Sequence, residues 1–406
     1  MAEHHTSRRA FLIGGAASLG AAAAGVAAGS LLTTAVSPET VSDAEPETQT
    51  TVPFYGIHQP GIAEPPPAQA AFLGFDLAPG TSRTAVAEVM KKWTTLSAAL
   101  AMGDTSADES LVSVGTAPGR FTMTVGISGP GLDALGADRP AQLVDHPVFP
   151  GDQIDERMSF GHMFVQLCSA DRVYLAGAVR AVRQSAAAAL TPRWQFSGFR
   201  NADADSASRN GRNLMGQIDG TNNIAASRAT EGGAVWVKDA GPRWLVGGSY
   251  VAIRRFRMLL GAWEDTPRGT QDLTIGRHLD SGAPIGSRHE QDPVDLDATD
   301  ASGAPLIPLD AHIRLAAPRR GAGEEMLRRS YSYSTGQFDS AMGDEDAGLI
   351  FVSYQSDPTS SFIPVQQRLA DSDALNRFVI ATSSSLFAVF PGVQDSDDWY
   401  GRELLS

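Results

Sequence analysis

Hydrophobic and polar positions in the first half of the chain predict strands and helices in turn. An apolar run at Phe72–Leu77 indicates a strand. Between Ser82 and Met102 apolar residues recur every three or four positions, which is typical of an amphipathic helix capped by Ser82. Alternation over Phe121–Ile127 predicts a half-buried strand. The rest of this half is predicted as a strand, a helix and a strand: His162–Cys168, Asp171–Ala189 and Trp194–Phe199.

The second half repeats this order around a long insertion. Ser249–Leu260 is predicted as a strand and Trp263–Ile275 as a helix, and the insertion, rich in Pro, Asp and Gly, runs from Gly276 to about Gly323. The remaining elements are two strands, a helix and a short strand: Leu327–Ser334, Leu349–Tyr354, Phe362–Ile380 and Leu386–Phe390. Two copies of βαββαβ predict an α+β fold of duplicated ferredoxin-like units, each an antiparallel sheet with helices packed on it.

The same patterns divide the chain into four segments. Residues 1–35 are predicted as a signal peptide, and residues 36–70 as a polar tail and linker that ends near three consecutive prolines. Residues 71–220 are predicted as the N-terminal ferredoxin-like domain and residues 221–406 as the C-terminal one.

The first segment has the layout of an export signal. The string SRRAFL at residues 7–12 precedes an Ala- and Gly-rich apolar stretch, and TTA at residues 33–35 offers small residues for cleavage. The string resembles the twin-arginine motif, whose translocase exports folded proteins. We therefore expect export by this route, to the periplasm, the cell envelope or the exterior. The alternatives are an ordinary secretory signal and an anchor that is retained.

Composition and charge narrow the classes of function. The 406 residues are 42% hydrophobic and 19% charged, as in ordinary globular proteins. A net charge of -14 and a pI of about 5.0 exclude a broad basic surface, so we expect no nucleic-acid partner. The single cysteine, Cys168, excludes an intrachain disulfide, cysteine-based zinc and iron–sulfur sites, and covalent CxxCH haem.

Histidine spacing removes further classes. The histidines beyond the predicted leader are His58, His146, His162, His278, His289 and His312. None forms an HExxH pair, and the GxSxG and P-loop patterns are absent from the sequence. Hydrolase and nucleotide-binding functions therefore lack support. A cofactor held by one histidine stays compatible with these residues, and haem is the leading case.

Three short segments carry candidate chemistry. His312 is surrounded by apolar residues within the polar insertion, Asp219 and Gly220 lie between the two halves, and Arg328 and Arg329 begin a predicted strand. Each feature has an ordinary structural interpretation: a structural histidine, a turn and solvated charges. None of the three alone identifies a function.

These segments belong to a longer set of motifs that covers nearly all of the chain beyond the leader. The set is FYGIHQPGI at 54–62, NLMGQIDGTNN at 213–223, GSY at 248–250, IGRHLDSGAPIG at 275–286, DAHIRLAAPR at 310–319, LRRSYSY at 327–333 and GLIFVSYQ at 348–355. In this order it resembles the dye-decolorizing peroxidases, in the exported branch also called deferrochelatase/peroxidase. The resemblance implies two ferredoxin-like units, with haem b in the C-terminal unit.

The resemblance assigns the main roles to single residues. His312 matches the proximal ligand of the haem iron. Asp219 matches the distal aspartate of the GxxDG element, and Arg328 matches the distal arginine, with Arg329 as the neighbouring alternative.

Further cofactor contacts are implied at four positions. Gly220 and Thr221 follow the aspartate, and Arg277 and His278 lie where the resemblance suggests contacts with the haem propionates. Gln217 stands where relatives often have an aromatic residue, which could alter the surroundings of the haem edge.

The implied reaction is reduction of hydrogen peroxide, with one-electron oxidation of dyes, phenols or other organic reductants. Asp219 would take a proton from peroxide and return it to the departing oxygen, and Arg328 would stabilise the negative charge that develops. A carboxylate base with an ordinary pKa near ~3.9 predicts a rate that favours acidic pH. Asp310, two residues before His312, is a candidate partner for its ring N–H.

Four aromatic residues are candidates for carrying a radical to bulky dyes at the surface: Trp263, Tyr331, Tyr333 and Tyr354. The ordinary interpretation, which we favour for each, is that they are strand and core aromatics.

The main alternative function is an envelope haem-binding protein that acquires iron by releasing it from haem. This function needs His312 and haem but neither Asp219 nor Arg328. Two further alternatives are an exported scaffold without a cofactor and a fold relative acting on chlorite or haem precursors, and the GxxDG element argues against the latter. The resemblance also implies a homo-oligomer.

Overall fold

The computed structural model describes residues 51–106, 108, 112–145, 148–201, 211–225, 228–229, 232–238, 241–319, 321–340 and 343–406. The predicted signal peptide, residues 36–50 of the predicted tail and His146 lie outside these described residues. No helix within the described ranges combines the length and the apolar character needed to cross a membrane.

Within these ranges nine strands form one antiparallel sheet. The strands are β1 Gln69–Leu77, β2 Thr122–Ile127, β3 Met163–Ser169, β4 Leu190–Phe199, β5 Ser249–Met258, β6 Leu327–Arg328, β7 Tyr331–Asp339, β8 Asp344–Gln355 and β9 Val379–Val389. Their order is β5-β9-β2-β3-β1-β4-β7-β8-β6, and an additional pairing of β5 with β8 closes all but β6 into a ring. The predicted α+β class is confirmed.

Helices cover the outside of this ring. The α-helices of the described residues are α1 Arg83–Ala101, α2 Gly129–Ala134, α3 Arg172–Ala186, α4 Leu260–Glu264, α5 Arg268–Ile275, α6 His312–Ala316, α7 Phe362–Ser372 and α8 Arg402–Leu405. The side chain of Ser82 caps α1 as predicted, because it accepts a hydrogen bond from the N–H of Ala85. Asp171 caps α3 in the same way, through the N–H groups of Val173 and Tyr174.

The two halves of the chain join along two short seams. Strand β2 pairs with β9 at two residue pairs, and β4 pairs with β7 through Phe199 and Ser332. Within the first half the strand order is β2-β3-β1-β4, and within the second it is β7-β8-β5-β9. The halves therefore share one relative order of strands, and residue 220 separates strands of a single continuous sheet.

Both faces of the ring are buried. Along β3, Phe164 and Cys168 belong to the interior cluster, in which Phe164 stacks on Phe387, whereas Val165 and Leu167 pack outward against the helices. Strand β2 is accordingly buried at every position, and the prediction that it is half-buried is wrong. Its polar threonines face the interior, where the Thr124 hydroxyl donates to the carbonyl of Pro60.

Several boundaries differ from the predictions in the second half. The predicted helix Trp263–Ile275 is split into α4 and α5, since Pro267 cannot continue a helix. The predicted strand Leu327–Ser334 is divided into β6 and β7. The predicted helix Phe362–Ile380 ends at Ser372, and β9 begins at Val379.

An N-terminal arm, residues 54–64, ties the two halves together. The buried amide of Gln59 donates to the carbonyls of Val125 and Phe390, and it accepts from the N–H of Val125. Val125 lies in β2 and Phe390 follows β9, so one side chain links the two halves at this seam. The ring of His58 stacks on Trp236 with 3.7 Å between ring centroids.

Candidate functional site

A cavity of about 500 Å³ lies on the outer face of the second half of the ring. Its walls come from β5, β8, α6, α7 and residues 213–222 between the two halves. The volume falls within the range of sites that enclose a cofactor or a small organic molecule.

Most of the cavity wall is apolar. Phe256 and Met258 stand on the outward face of β5, and Phe351 of β8 meets Phe256 edge-on at 6.3 Å. Helix α7 presents Phe362 and Val365, one turn apart, to the same space. An apolar wall of this kind excludes water and suits a flat, hydrophobic ligand.

His312 begins α6 and contacts the cavity, with 30% of its side chain exposed. Its Nδ1 lies 2.6 Å from Oδ2 of Asp373, whose side chain is only 3% exposed. Burial lowers the pKa of His312, but the Asp373 carboxylate outweighs it and raises this pKa above its ordinary value. Since Asp373 engages Nδ1, Nε2 is left to bind a metal ion.

The predicted partner of His312 is wrong. Asp310 offers only its backbone carbonyl nearby, which accepts from the N–H of Ala374. Asp373 takes the place of Asp310 because the chain after α7 folds back against α6. The other carboxylate oxygen of Asp373 accepts from the N–H of Leu375, which fixes the orientation of the side chain.

Asp219 is positioned by a tightly bonded loop. The Asn213 side chain accepts from the N–H groups of Met215 and Gln217, and the N–H of Asp219 donates to the carbonyl of Gly211. Gly220 has a φ of +111°, a conformation that side chains with a Cβ rarely adopt, and it turns the chain directly after Asp219. Asp219 lines the cavity.

Arg328 is held at the cavity by its backbone. The amide of Asn223 donates to the carbonyl of Arg328 and accepts from its N–H, so one side chain satisfies both backbone groups. Asn223 is also tied to the preceding turn, since its own N–H donates to the carbonyl of Gly220. The loop that carries Asp219 and the strand that carries Arg328 are therefore fixed to each other.

The charged ends of Asp219 and Arg328 are available inside the cavity. Among the described residues neither the Asp219 carboxylate nor the Arg328 guanidinium has a hydrogen-bond partner. The charges of both act on the ring of His312, so the three groups share one electrostatic environment. Two opposite charges left available beside a histidine form a site for a reacting ligand rather than a structural ion pair.

Arg277, Gly220 and Thr221 also line the cavity. One guanidinium nitrogen of Arg277 donates to the carbonyls of Gly282 and Glu290, and the Thr221 hydroxyl donates to the Glu290 side chain. Burial lowers the pKa of Arg277, Glu290 opposes this, and the nearby Arg328 adds to it. Arg277 and Thr221 are thus connected through one residue of the insertion.

Two predicted cofactor residues lie elsewhere. The ring of His278 faces Asp272, with 3.1 Å between Nδ1 and Oδ2, and it does not line the cavity. Arg329 lies on the other side of the sheet, where its guanidinium donates to the carbonyl of Glu64. Consecutive residues of an extended chain point to opposite faces, so Arg328 and Arg329 cannot serve the same cavity.

The four aromatic candidates for a surface relay are buried. Tyr331 and Tyr354 are fully buried inside the ring, Tyr333 is 3% exposed, and Trp263 is 2% exposed and donates to the carbonyl of Met215. None reaches the surface, so the interpretation as strand and core aromatics fits their placement.

The residues present fit an iron porphyrin. Such a group needs an axial ligand, apolar walls for its ring and polar groups for its carboxylates and for the reacting oxygen. His312 with its Asp373 partner supplies the axial ligand, and the phenylalanines of β5, β8 and α7 supply the apolar walls. Arg277 and Thr221 in the lining suit the carboxylates, and Asp219 and Arg328, whose charged ends have no hydrogen-bond partner among the described residues, suit the reacting oxygen. No group of three or more His, Cys, Asp and Glu side chains in the described part of the chain could hold a bare metal ion.

The axial histidine, the apolar walls and the two charged side chains of this cavity are the groups that a haem-binding oxidoreductase requires. Comparison with known proteins makes the assignment specific: residues 59–200 match the model "Dyp-type peroxidase, N-terminal" and residues 210–394 the model "Dyp-type peroxidase, C-terminal". The chain belongs to the Dyp-type peroxidase family. The predicted family, the peroxidase class and the haem cofactor are confirmed at this level.

Similar proteins cover most of the chain. A dye-decolorizing peroxidase of Thermobifida fusca (strain YX) is 40% identical over 98% of this chain and 97% of its own length. A deferrochelatase of Escherichia coli (strain K12) is 34% identical over 91% of this chain and 90% of its own. The crystal structure of a DyP-type peroxidase from Streptomyces coelicolor superposes with a TM-score of 0.84 at 36% identity, covering 88% of this chain and 97% of the other.

Sequence reasoning missed two residues that organise the site. Asp373 lies 61 residues from His312 within a segment predicted as continuous helix, and nothing in the local pattern marks it as a partner. Asn223 lies within the quoted NLMGQIDGTNN motif, but its contact with Arg328 spans 105 residues and depends on the fold. In both cases the contact exists only because distant segments meet at the cavity.

Proposed function

We propose that the cavity binds haem b through His312, and that the chain reduces hydrogen peroxide while oxidising dyes, phenols or other organic reductants in one-electron steps. One observation carries this proposal: the His312–Asp373 pair lines the same apolar cavity as Asp219 and Arg328, whose charged ends have no hydrogen-bond partner within the described ranges. Family membership supports the reaction class.

Each residue then has a chemical task. Haem, when bound, supplies the redox chemistry. The Asp219 carboxylate takes a proton from one oxygen of peroxide and returns it to the departing oxygen, a shuttle worth ~10²–10⁴-fold. The Arg328 guanidinium stabilises negative charge on that oxygen as the O–O bond breaks. Asp373 holds the ring of His312 through Nδ1, so that Nε2 would be left to bind the iron.

We further propose that Gly220, Thr221 and Arg277 contact the cofactor, since all three line the cavity beside Asp219. His278 and Arg329 are left out of this set because they lie outside the lining.

The two halves are, we propose, two ferredoxin-like units, divided near residue 220. Support comes from the strand order, which runs β2-β3-β1-β4 in the first half and β7-β8-β5-β9 in the second. Each half also places helices only on the outer face of its strands, as that arrangement requires.

Export and assembly remain proposals drawn from the sequence. We propose export through the twin-arginine translocase, on the strength of SRRAFL at residues 7–12, with final location in the envelope or outside the cell. We also propose a homo-oligomer, as the family resemblance implies.

A second candidate function is release of iron from haem. Relatives named deferrochelatase, 34–35% identical over about nine-tenths of this chain, favour it. It would use His312 and the same cavity, whereas peroxide chemistry additionally needs Asp219 and Arg328.

One experiment separates the two functions. The protein is purified with haem, and its Soret band is followed while hydrogen peroxide and then a reducing dye are added. We expect the band to shift with peroxide and to return as the dye is oxidised. A Soret band inert to peroxide, with metal-free porphyrin fluorescence appearing on incubation, would favour iron release. Absence of a Soret band would contradict both functions.

A further inference from the structure

A buried amide in the cavity wall has no assigned task. Gln217 is 5% exposed and lines the cavity, yet its Nε2 has no hydrogen-bond partner among the described residues. Both backbone groups of Gln217 are hydrogen-bonded: its N–H donates to the Asn213 side chain, and its carbonyl accepts from the N–H of Asn213. A buried donor without an acceptor costs free energy unless a ligand or a water molecule satisfies it.

The local backbone directs Gln217 toward the same space as Asp219. Ile218 forms an antiparallel bridge with Arg212, so the chain is extended here. In an extended chain, residues two apart point to the same face and lie about 7 Å from each other. Gln217 and Asp219 therefore present a donor and a carboxylate from one edge of the cavity wall.

A small ligand fits as the hydrogen-bond acceptor for Nε2 of Gln217 better than a haem carboxylate does. The groups suited to carboxylates, Arg277 and the Thr221 hydroxyl, are joined through Glu290 on the other side of Asp219 along the chain. Gln217 precedes Asp219, and of the two residues just before Gln217, Met215 belongs to a cluster of buried apolar side chains and Gly216 lies beside Leu279. An oxygen held beside Asp219 is the acceptor that remains.

We propose that Gln217 is an additional peroxide-binding residue: its Nε2 donates a hydrogen bond to an oxygen of the small ligand that Asp219 deprotonates. This inference rests on the proposed function, since it presumes haem in the cavity. It assigns the binding of peroxide in this chain to three side chains, Gln217, Asp219 and Arg328.

The test uses fluoride as a probe, because ferric haem binds it and it accepts hydrogen bonds without undergoing turnover. Haem-loaded wild type, Gln217→Leu and Gln217→Glu are titrated with fluoride at one pH, and the dissociation constant is read from the absorption spectrum. Loss of one hydrogen bond to an anion is expected to weaken fluoride binding about ten-fold in both variants. Gln271→Leu is the matched control, since Gln271 is equally buried but donates to the carbonyl of Trp263 outside the lining.

Two further readouts keep the outcome decisive. Thermal unfolding of each variant shows whether it folds, and transfer of haem to apomyoglobin reports cofactor retention. Fluoride affinity within two-fold of wild type in both Gln217 variants would overturn the inference, while the proposed function would stand if wild type binds haem and reacts with peroxide. Faster haem loss with unchanged fluoride affinity would also overturn it, in favour of a carboxylate contact. A wild type that binds no haem would remove both proposals.

Discussion

The adjacent residues Arg328 and Arg329 lie on opposite sides of the sheet. Arg328 ends β6 facing the cavity, whereas Arg329 is 2% exposed and points into the ring toward the carbonyl of Glu64. The sequence LRRSYSY alone does not say which arginine meets the ligand, and the choice of Arg328 rests on the resemblance. The structure favours the same residue for a physical reason: alternation along an extended chain allows only one of the two to reach the cavity.

This pair of arginines gives a matched test at the scale of the residue. Arg328→Leu is expected to slow the reaction of the haem-loaded protein with hydrogen peroxide ~10²–10³-fold, because a donor aimed at developing charge is lost. Arg329→Leu removes the same charge one residue away and should leave this rate near that of wild type. Stopped-flow absorbance at the Soret band measures both rates. Equal rates for Arg328→Leu and wild type would contradict the role of Arg328.

The Asp373 carboxylate can be tested with little change in shape. Asp373→Asn keeps the oxygen that accepts from Leu375 but removes the negative charge beside Nδ1 of His312. Loss of such a partner typically weakens a metal site 10–100-fold. We therefore expect haem to leave the variant ~10–100 times faster, measured by transfer to apomyoglobin. Asp310→Asn is the control, and identical haem loss in both variants would show that Asp373 does not support His312.

At the scale of the element, the sequence predicted which helices and strands form better than it predicted where each one ends. Helix α1 and its Ser82 cap follow directly from local spacing and confirm the prediction. The helix predicted over Phe362–Ile380 ends at Ser372 instead, because Asp373 turns toward His312 and Val379 joins β5 in the sheet. Local periodicity carries no information about these two tertiary contacts, so it extended the helix through them.

The N-terminal arm provides a test of pH dependence. Burial lowers the pKa of His58 below its ordinary 6.5, although the carbonyl of Gly247 and the charge of Glu64 oppose this. The unfolded chain therefore takes up the proton first as the pH falls below about 6.5, and acidification destabilises the fold. We expect the melting temperature to decline from pH 7.5 to pH 5.5 less steeply in His58→Asn than in wild type.

Asparagine is chosen because its amide can still donate to the carbonyl of Gly247, as Nδ1 of His58 does at 2.6 Å. Circular dichroism melts of the two haem-free proteins are compared at each pH, so that the contribution of His312, which is present in both, cancels in the difference. Parallel pH profiles for the two proteins would show that His58 does not contribute.

On the scale of the whole molecule, the two halves have the same strand order but differ in how the space outside the sheet is filled. In the first half, large side chains of α1 and α3, such as Trp93 and Tyr174, fill the space between the helices and the sheet, and both are fully buried. The second half leaves a cavity in the corresponding place, and the 213–222 loop between the halves supplies Asp219 to it. The repeated pattern of elements indicated the α+β class from sequence, but closure into one ring could not be predicted, since it depends on the short seams between β2 and β9 and between β4 and β7.

Residues of the site could be predicted from the sequence only where they lie in a motif of the family. His312, Asp219 and Arg328 came from the resemblance, since each alone has an ordinary interpretation, and the structure brings all three to one cavity. His278 and Arg329 show the limit of such transfer, because a neighbouring position in sequence can face another side of the chain.

Comparison of wild type with Asp219→Asn tests peroxide reduction at this cavity. Both are loaded with haem, and the second-order rate constant for hydrogen peroxide is measured by stopped flow at the Soret band. We predict that Asp219→Asn keeps a normal Soret band and loses ~10²–10⁴-fold in this rate constant, because asparagine cannot carry the proton. A variant that binds haem and reacts with peroxide as fast as wild type would show that Asp219 is not the proton carrier.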